Sequence, residues 1–271
     1  MESFLNFFET MPNAYKFAWI FAVLTFTWII EAAIPLLRND YKKWKHARMN
    51  LVLLFTSMLV SILFGLATKG LFDWTGATGF GLFHLINLPV WAELLLAVML
   101  LDLWAQYAAH YMLHRVAWMW RFHMVHHSDT TVDATTGTRH HPGDYIIREC
   151  FALVAILLLG MPLAFYVFYR ILTIFFTYFS HANIHMPQWL DKPLSFVFIT
   201  PNMHKFHHHF ERPWTDTNFG NIFSFWDRLF GTFVHDDPKK VQYGLDVLDD
   251  ETSGDLMYQF KLPFDKRIKT D

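Results

Sequence analysis

Ten of the sixteen histidines in this 271-residue chain stand in four clusters whose spacing suits metal ligation. His110 and His114 (HYMLH) are four apart, and His123, His126 and His127 (HMVHH) stand at i, i+3 and i+4. His181 and His185 (HANIH), then His204, His207 and His208 (HKFHH), repeat the two patterns in the same order. Residues three and four apart share a helix face, so each cluster can aim its rings at one locus. Imidazole is the commonest metal ligand and is largely neutral near pH 7. A tetrahedral ion uses four ligands and an octahedral one six, so ten imidazoles imply two ions. A lone interior histidine or one i, i+4 pair would mean little, since both are common in ordinary cores; four clusters, two of the form HxxHH, are a signal. Cys150 is the single cysteine. Thiolate and iron–sulfur sites are therefore excluded, and imidazole, with carboxylate or water, is left to hold the ions.

The other six histidines fall outside this set. His46 and His84 lie away from the clusters, His235 belongs to the tail, and His209 extends the last cluster off its face. His140 and His141 (RHHP) are candidates for a supporting or substrate-channel role.

The elements that must position the clusters are membrane helices. The chain is 54% hydrophobic and only 17% charged, with a mean hydropathy of +0.21, more apolar surface than a water-soluble domain can cover. A net charge of −2 gives no electrostatic footprint for nucleic acid. Residues 1–15 have no basic stretch and no cleavage site follows, so the first apolar run, Lys16 to Leu37, is expected to stay as a span broken only by Glu31. Arg38, Lys42, Lys43, Lys45 and Arg48 then precede the second run, Met49 to Thr68, and place their connection on the cytoplasmic side. A third span, Val90 to Met112, returns to that side with the first histidines. The fourth stretch, Ile146 to Phe179, would be about 51 Å as one helix, short of two full crossings. Gly160, Met161 and Pro162 near its middle predict a hairpin of two short helices. A single tilted span is the alternative, and it would put the histidines on opposite faces of the membrane. The expected fold is all-α: an integral membrane bundle of about three transmembrane helices plus the hairpin, under a cytoplasmic histidine-rich cap. Its parts are N-terminal helices (1–89), a catalytic region (90–235) and a polar C-terminal tail (236–271).

The ordered set HxxxH, HxxHH, HxxxH, HxxHH on a membrane frame resembles the fatty acid hydroxylase superfamily, also called the sterol desaturase family. The stretches DLWAQYAAHYMLHR (102–115), WMWRFHMVHHS (118–128), TRHHP (138–142), SHANI (180–184) and NFGNIFSFWDRLFGT (218–232) carry the same resemblance, which covers about Val90 to Phe233. It implies a non-haem di-iron, oxygen-dependent membrane oxidoreductase acting on a lipid, with His110, His114, His123, His126, His127, His181, His185, His204, His207 and His208 as metal ligands. Iron in a nitrogen-rich, partly open site can reduce dioxygen and attack an unactivated C–H bond. Zinc can replace it in overproduced protein. Asp102, Asn183, Asp216, Asn218 and Asp227 are candidates for orienting ligands, and helix capping or turn formation explains each equally well.

His141, Pro142 and Gly143 are similar to the haem-binding stretch of cytochrome b5, but Asp144 replaces the second glycine. Electrons are therefore expected from a separate ferredoxin, cytochrome or reductase. Arg115, Arg121, Arg139 and Arg148 could dock such a donor or face anionic lipid. The same centre would serve fatty acyl hydroxylation, sterol oxidation or desaturation, ether-lipid cleavage or carotenoid hydroxylation. A membrane metal transporter or sensor is the competing class, although its ligands would be expected near mid-span. No organelle-retention signal stands at residues 267–271 (RIKTD), which points to a bacterial inner membrane.

Overall fold

The computed structural model describes residues 2–38, 41–211 and 214–269, and every regular element among them is helical. A short amphipathic helix, α1 (Glu2–Glu9), lays Phe4 and Phe8 against Phe168 with ring centroids 5.4 and 5.2 Å apart. The long helices are α2 (Asn13–Ala33), α3 (Lys43–Thr78) and α4 (Val90–Arg115). After them come α5 (Ala117–His127), α6 (Pro142–Leu159) and α7 (Leu163–His181). Shorter helices complete the chain: α8 (Gln188–Leu194), α9 (Pro201–His207), α10 (Phe225–Leu229), α11 (Asp250–Ser253) and α12 (Leu256–Lys261). The segments Asn13–Ala33, Lys43–His84, Val90–Arg115 and Leu163–His181 are long and apolar enough to cross a membrane.

Local chemistry sets the helix ends. Helix α2 stops at Ala33 rather than at Leu37 because Pro35 disfavours helical backbone at Ile34. Helix α3 begins at Lys43, so Lys43, Lys45 and Arg48 occupy its first turns instead of a loop. Lysine and arginine are good helix formers, and their flexible stems carry the charge to the membrane surface. Glu31, which interrupts the first apolar run, is buried, and its Oε1 accepts hydrogen bonds from the Ala134 (3.2 Å) and Asn183 (2.6 Å) amides. It ties α2 to two loops beside the histidines.

The hairpin is observed as two helices, which excludes the single tilted span. Gly160 ends α6 at φ 61, and α7 starts directly after Pro162. The tip is pressed against the loop between α3 and α4: a Cβ on Gly160 would lie 2.1 Å from Phe80 O, and one on Gly81 2.5 Å from Gly160 Cα. Both arms therefore run the depth of the bundle and return the chain to the histidine end. The main core fills the space among α4, α6 and α7, with Leu101, Ile156, Phe165 and Tyr169 at its centre.

Midway along α4 the residues Asp102–Ala108 are π-helical, one turn before His110. Such insertions re-aim the residues that follow and cluster at functional sites. The C-terminal residues fold back on the cap. Leu262 packs with Met124, Val125 and Leu53, and the fully buried Arg139 donates to Val125 O (2.8 Å), Ser128 Oγ (2.8 Å) and Ser253 O (2.7 Å).

Candidate metal centre

Four helices deliver nine of the ten clustered histidines to one place. His110, His114, His123, His127 and His207 form one group, and His126, His181, His204 and His208 a second; within each, one nitrogen per residue lies within 4.8 Å of the others. The two groups touch. His127 stacks on His208 with centroids 4.8 Å apart, and His123 and His126 are 5.2 Å apart. Each HxxHH motif is split between the groups. On α5 the i, i+4 pair His123 and His127 joins the first and His126 the second; on α9 His204 and His208 join the second and His207 the first. The i+3 ring stands beside the i, i+4 row, so one helical turn serves two adjacent loci.

His185 is not gathered with the other nine. Helix α7 ends at His181, Ala182 turns to an extended ψ of 135, and His185 is exposed. The i, i+4 relation that would place it over His181 needs helix that is not there.

Five of the nine rings are oriented by what their other nitrogen touches. His110 Nδ1 donates to Phe219 O (2.9 Å), His207 Nδ1 to Thr217 O (2.7 Å) and His181 Nδ1 to Thr177 O (2.7 Å). His114 Nδ1 donates to Asp216 Oδ1 (3.0 Å) and His123 Nδ1 to Asp144 Oδ2 (2.9 Å). Carbonyls and carboxylates only accept, so these five rings carry the proton on Nδ1 and leave Nε2 as a lone pair. The lone pairs of His110 and His123 face each other, and that of His181 faces two further imidazole nitrogens. His110 Nε2 lies 3.0 Å from His123 Nε2, and His181 Nε2 lies 3.2 and 3.1 Å from the Nε2 atoms of His126 and His204. His114, His127 and His207 Nε2, with both nitrogens of His208, are buried without a partner. Unmet buried acceptors converging at these distances repel one another unless a cation sits among them. The donor set fits metal ions. Three rings of the second group, His126, His204 and His208, have no orienting acceptor on Nδ1.

Burial keeps the clustered histidines neutral. It lowers the pKa of His126, His127, His204, His207 and His208 well below the usual imidazole range, with neighbouring histidines adding to the effect. Burial also lowers His123, to about 3, with Asp144 opposing. Asp144 is fully buried, which alone would raise its pKa, but Arg148, His123 and His140 outweigh burial and hold it ionised. Its Oδ2 also accepts from His140 Nδ1 (2.9 Å) and its Oδ1 from Arg148 Nε (2.9 Å), while His140 stacks on His126 at 4.4 Å.

The loop 216–223 orients three rings of the first group through Asp216 and the carbonyls of Thr217 and Phe219. It is held in turn by two buried carboxylates. Asp227 accepts from the amides of Phe219 (2.7 Å) and Gly220 (3.0 Å), and Asp102 from those of Ile222 and Phe223 (3.1 Å each). Burial raises the pKa of Asp227 to about 7. Asp216 and Asn218 adopt positive φ (59 and 53), which Asp and Asn tolerate better than most residues. Asn218 Nδ2 donates to Met203 O and Val234 O (2.8 Å each).

Of the five orienting candidates, Asp216 thus meets a clustered histidine directly, and Asp102, Asn218 and Asp227 act through this loop. Asn183 instead brackets Leu37, accepting from its amide (3.0 Å) and donating to its carbonyl (2.7 Å). Asp144 was missed: in sequence it is only a carboxylate in the first turn of an apolar helix. Among the four arginines considered for docking, Arg139 is buried, Arg121 donates to the Pro263, Asp265 and Ile268 carbonyls of the tail, and Arg148 serves Asp144. Only Arg115 of the four is exposed, at 46% of its side chain.

Comparisons with known proteins find lipid hydroxylases and monooxygenases. An ornithine lipid hydroxylase of Rhizobium tropici is 29% identical over 161 residues, 59% of this chain and 47% of its own length. Human alkylglycerol monooxygenase is 29% identical over 168 residues, 60% of this chain and 36% of its own. A cholesterol 25-hydroxylase-like protein of Danio rerio is 27% identical over 139 residues, 51% of this chain and 54% of its own. The chain thus spans about half or less of the length of these curated relatives. No solved structure matches. The fatty acid hydroxylase family profile matches residues 94–232, which contain all nine gathered histidines and the loop that orients them, and cover just over half the chain. The chain belongs to the fatty acid hydroxylase family.

Proposed function

We propose that this protein is a membrane-bound di-iron oxygenase that hydroxylates a C–H bond of a lipid. The observation that carries the reading is the convergence of buried imidazole nitrogens in two adjoining groups, with Nε2 left as a lone pair on His110, His114, His123, His181 and His207. His110, His114, His123, His127 and His207 would hold one iron, and His126, His181, His204 and His208 the other. Iron bound there supplies the reduction of dioxygen and an oxidant able to take hydrogen from an unactivated C–H bond. The chain's own residues do the rest. Asp144, Asp216 and the carbonyls of Thr177, Thr217 and Phe219 keep the protons on Nδ1, and burial keeps water and protons from competing for the Nε2 lone pairs.

Among the described residues no carboxylate joins either group of imidazoles, so these nine rings bring no negative charge of their own. The groups sit at the ends of α4 and α7 and on α5 and α9 rather than at mid-span, which favours catalysis over metal transport. The basic residues around the start of α3 favour placing this end on the cytoplasmic side of a bacterial inner membrane, where a separate ferredoxin, cytochrome or reductase would deliver electrons. The test is incubation of iron-loaded membranes and a donor with ¹⁸O₂. One labelled oxygen atom per product lipid supports the reading; bound zinc with no oxygen consumed would point to a sensor or transporter instead.

A further inference from the structure

A second polar cluster lies between the hairpin and α3, and none of its hydrogen bonds reaches a clustered histidine among the described residues. Arg170 on α7 donates through Nη1 to Glu149 Oε1 (2.7 Å) and Tyr166 OH (3.2 Å), and through Nη2 to Tyr145 OH (2.7 Å). Tyr145 OH lies 2.7 Å from Ser61 Oγ of α3. Ionisable residues within a membrane bundle are costly and mark sites that bind or conduct something.

Bonding capacity is left over in this cluster. Arg170 Nε has no acceptor and Glu149 Oε2 no donor among the described residues, although the Arg170 side chain is only 33% exposed. Ser57 stands one turn before Ser61 on the same face of α3; it is 5% exposed, and its Oγ is buried without a partner. The cluster therefore offers free donors and a free acceptor together. Arg170 and Glu149 cancel each other's charge, so an anionic headgroup has little to gain here. A neutral hydroxyl, which both gives and takes a hydrogen bond, satisfies what is left.

The cluster is aligned with the metal centre. Arg170, Ile174, Thr177 and His181 recur at i, i+4, i+7 and i+11, so Arg170 and His181 share one face of α7, with their Cα atoms about 16 Å apart along the axis. We propose that Ser57, Ser61, Tyr145, Glu149 and Arg170 receive a neutral hydroxyl of the lipid substrate and so set which carbon, about 16 Å further along, reaches the centre. The proposal rests on the lipid-hydroxylase reading above.

The test compares tetradecan-1-ol, tetradecane and tetradecanoate as ligands and substrates of the full iron-loaded chain in nanodiscs, as wild type, Ser57→Ala and Tyr145→Phe. The alcohol is expected to bind the wild type best and about tenfold more weakly to each variant, the loss of one hydrogen bond. KM should rise by a similar factor with kcat and iron content kept, and the position of oxidation should spread along the chain. Equal binding of the alkane, preference for the carboxylate, or unchanged alcohol affinity in both variants would overturn the site. Weakened binding with unchanged KM would make it a resident-lipid site and overturn the substrate assignment. If the wild type binds the alcohol but oxidises no lipid, the enzymatic reading fails while the hydroxyl site stands.

Discussion

Asp144→Asn tests whether the centre is assembled from outside its own ligands. The carboxylate accepts three hydrogen bonds at 2.9 Å, from His123, His140 and Arg148, and is fully buried. The amide keeps the shape but loses the charge and leaves one accepting oxygen for three donors, so His123 is held less firmly with its proton on Nδ1. Loss of an orienting partner weakens metal binding by roughly 10–100-fold, about 1.4–2.7 kcal/mol. Arg148 is also left without its counterion, and breaking a nearly buried pair costs about 3 kcal/mol of stability. The two effects can be separated. Arg148→Gln added to Asp144→Asn should restore part of the stability and none of the metal affinity. Asp129→Asn is the control: its buried carboxylate pairs with His46 at 2.9 Å and touches no clustered histidine, so it should lower Tm and leave metal affinity alone. The assay is iron retained per chain across a chelator series, beside the melting temperature. If Asp144→Asn releases iron at the same chelator concentration as wild type, orientation by Asp144 is refuted.

His185→Ala should retain wild-type iron and activity, whereas His207→Ala should lose iron from the first group; equal loss in both would place His185 among the ligands. The metal-free protein should lose stability as pH falls below about 6.5, because unfolded imidazoles then bind protons that the buried ones refuse. The slope is about 1.4 kcal/mol per pH unit for each histidine kept neutral, and thermal melts showing no change between pH 7 and 5 would contradict the burial of His126, His127, His204, His207 and His208. Gly160→Ala should destabilise the bundle by more than the usual αL strain of about 1 kcal/mol, since its Cβ would meet Phe80 O; an unchanged melting temperature would show that the hairpin tip is not seated there.

Much of this was legible in the sequence because it rests on residue type and spacing. Apolar runs, a Gly-Met-Pro break and four clusters at helical intervals give the bundle, the hairpin and all nine gathered histidines. The rest depends on backbone and on contacts remote in sequence. Thr177, Thr217 and Phe219 orient ligands through carbonyls, which every residue type has. His185 has the right spacing on a helix that ends before it. Asp144 reaches His123 only because α6 folds back beside α5. The division of each HxxHH motif between two loci follows from helix geometry, but which ring goes where depends on how α5 and α9 face each other.

Anomalous diffraction at the iron edge tests the central claim most directly. Two peaks are predicted, one among His110, His114, His123, His127 and His207 and the other among His126, His181, His204 and His208, with His185 outside both. A single peak, or two peaks away from these nine rings, would contradict a di-iron centre built in this way.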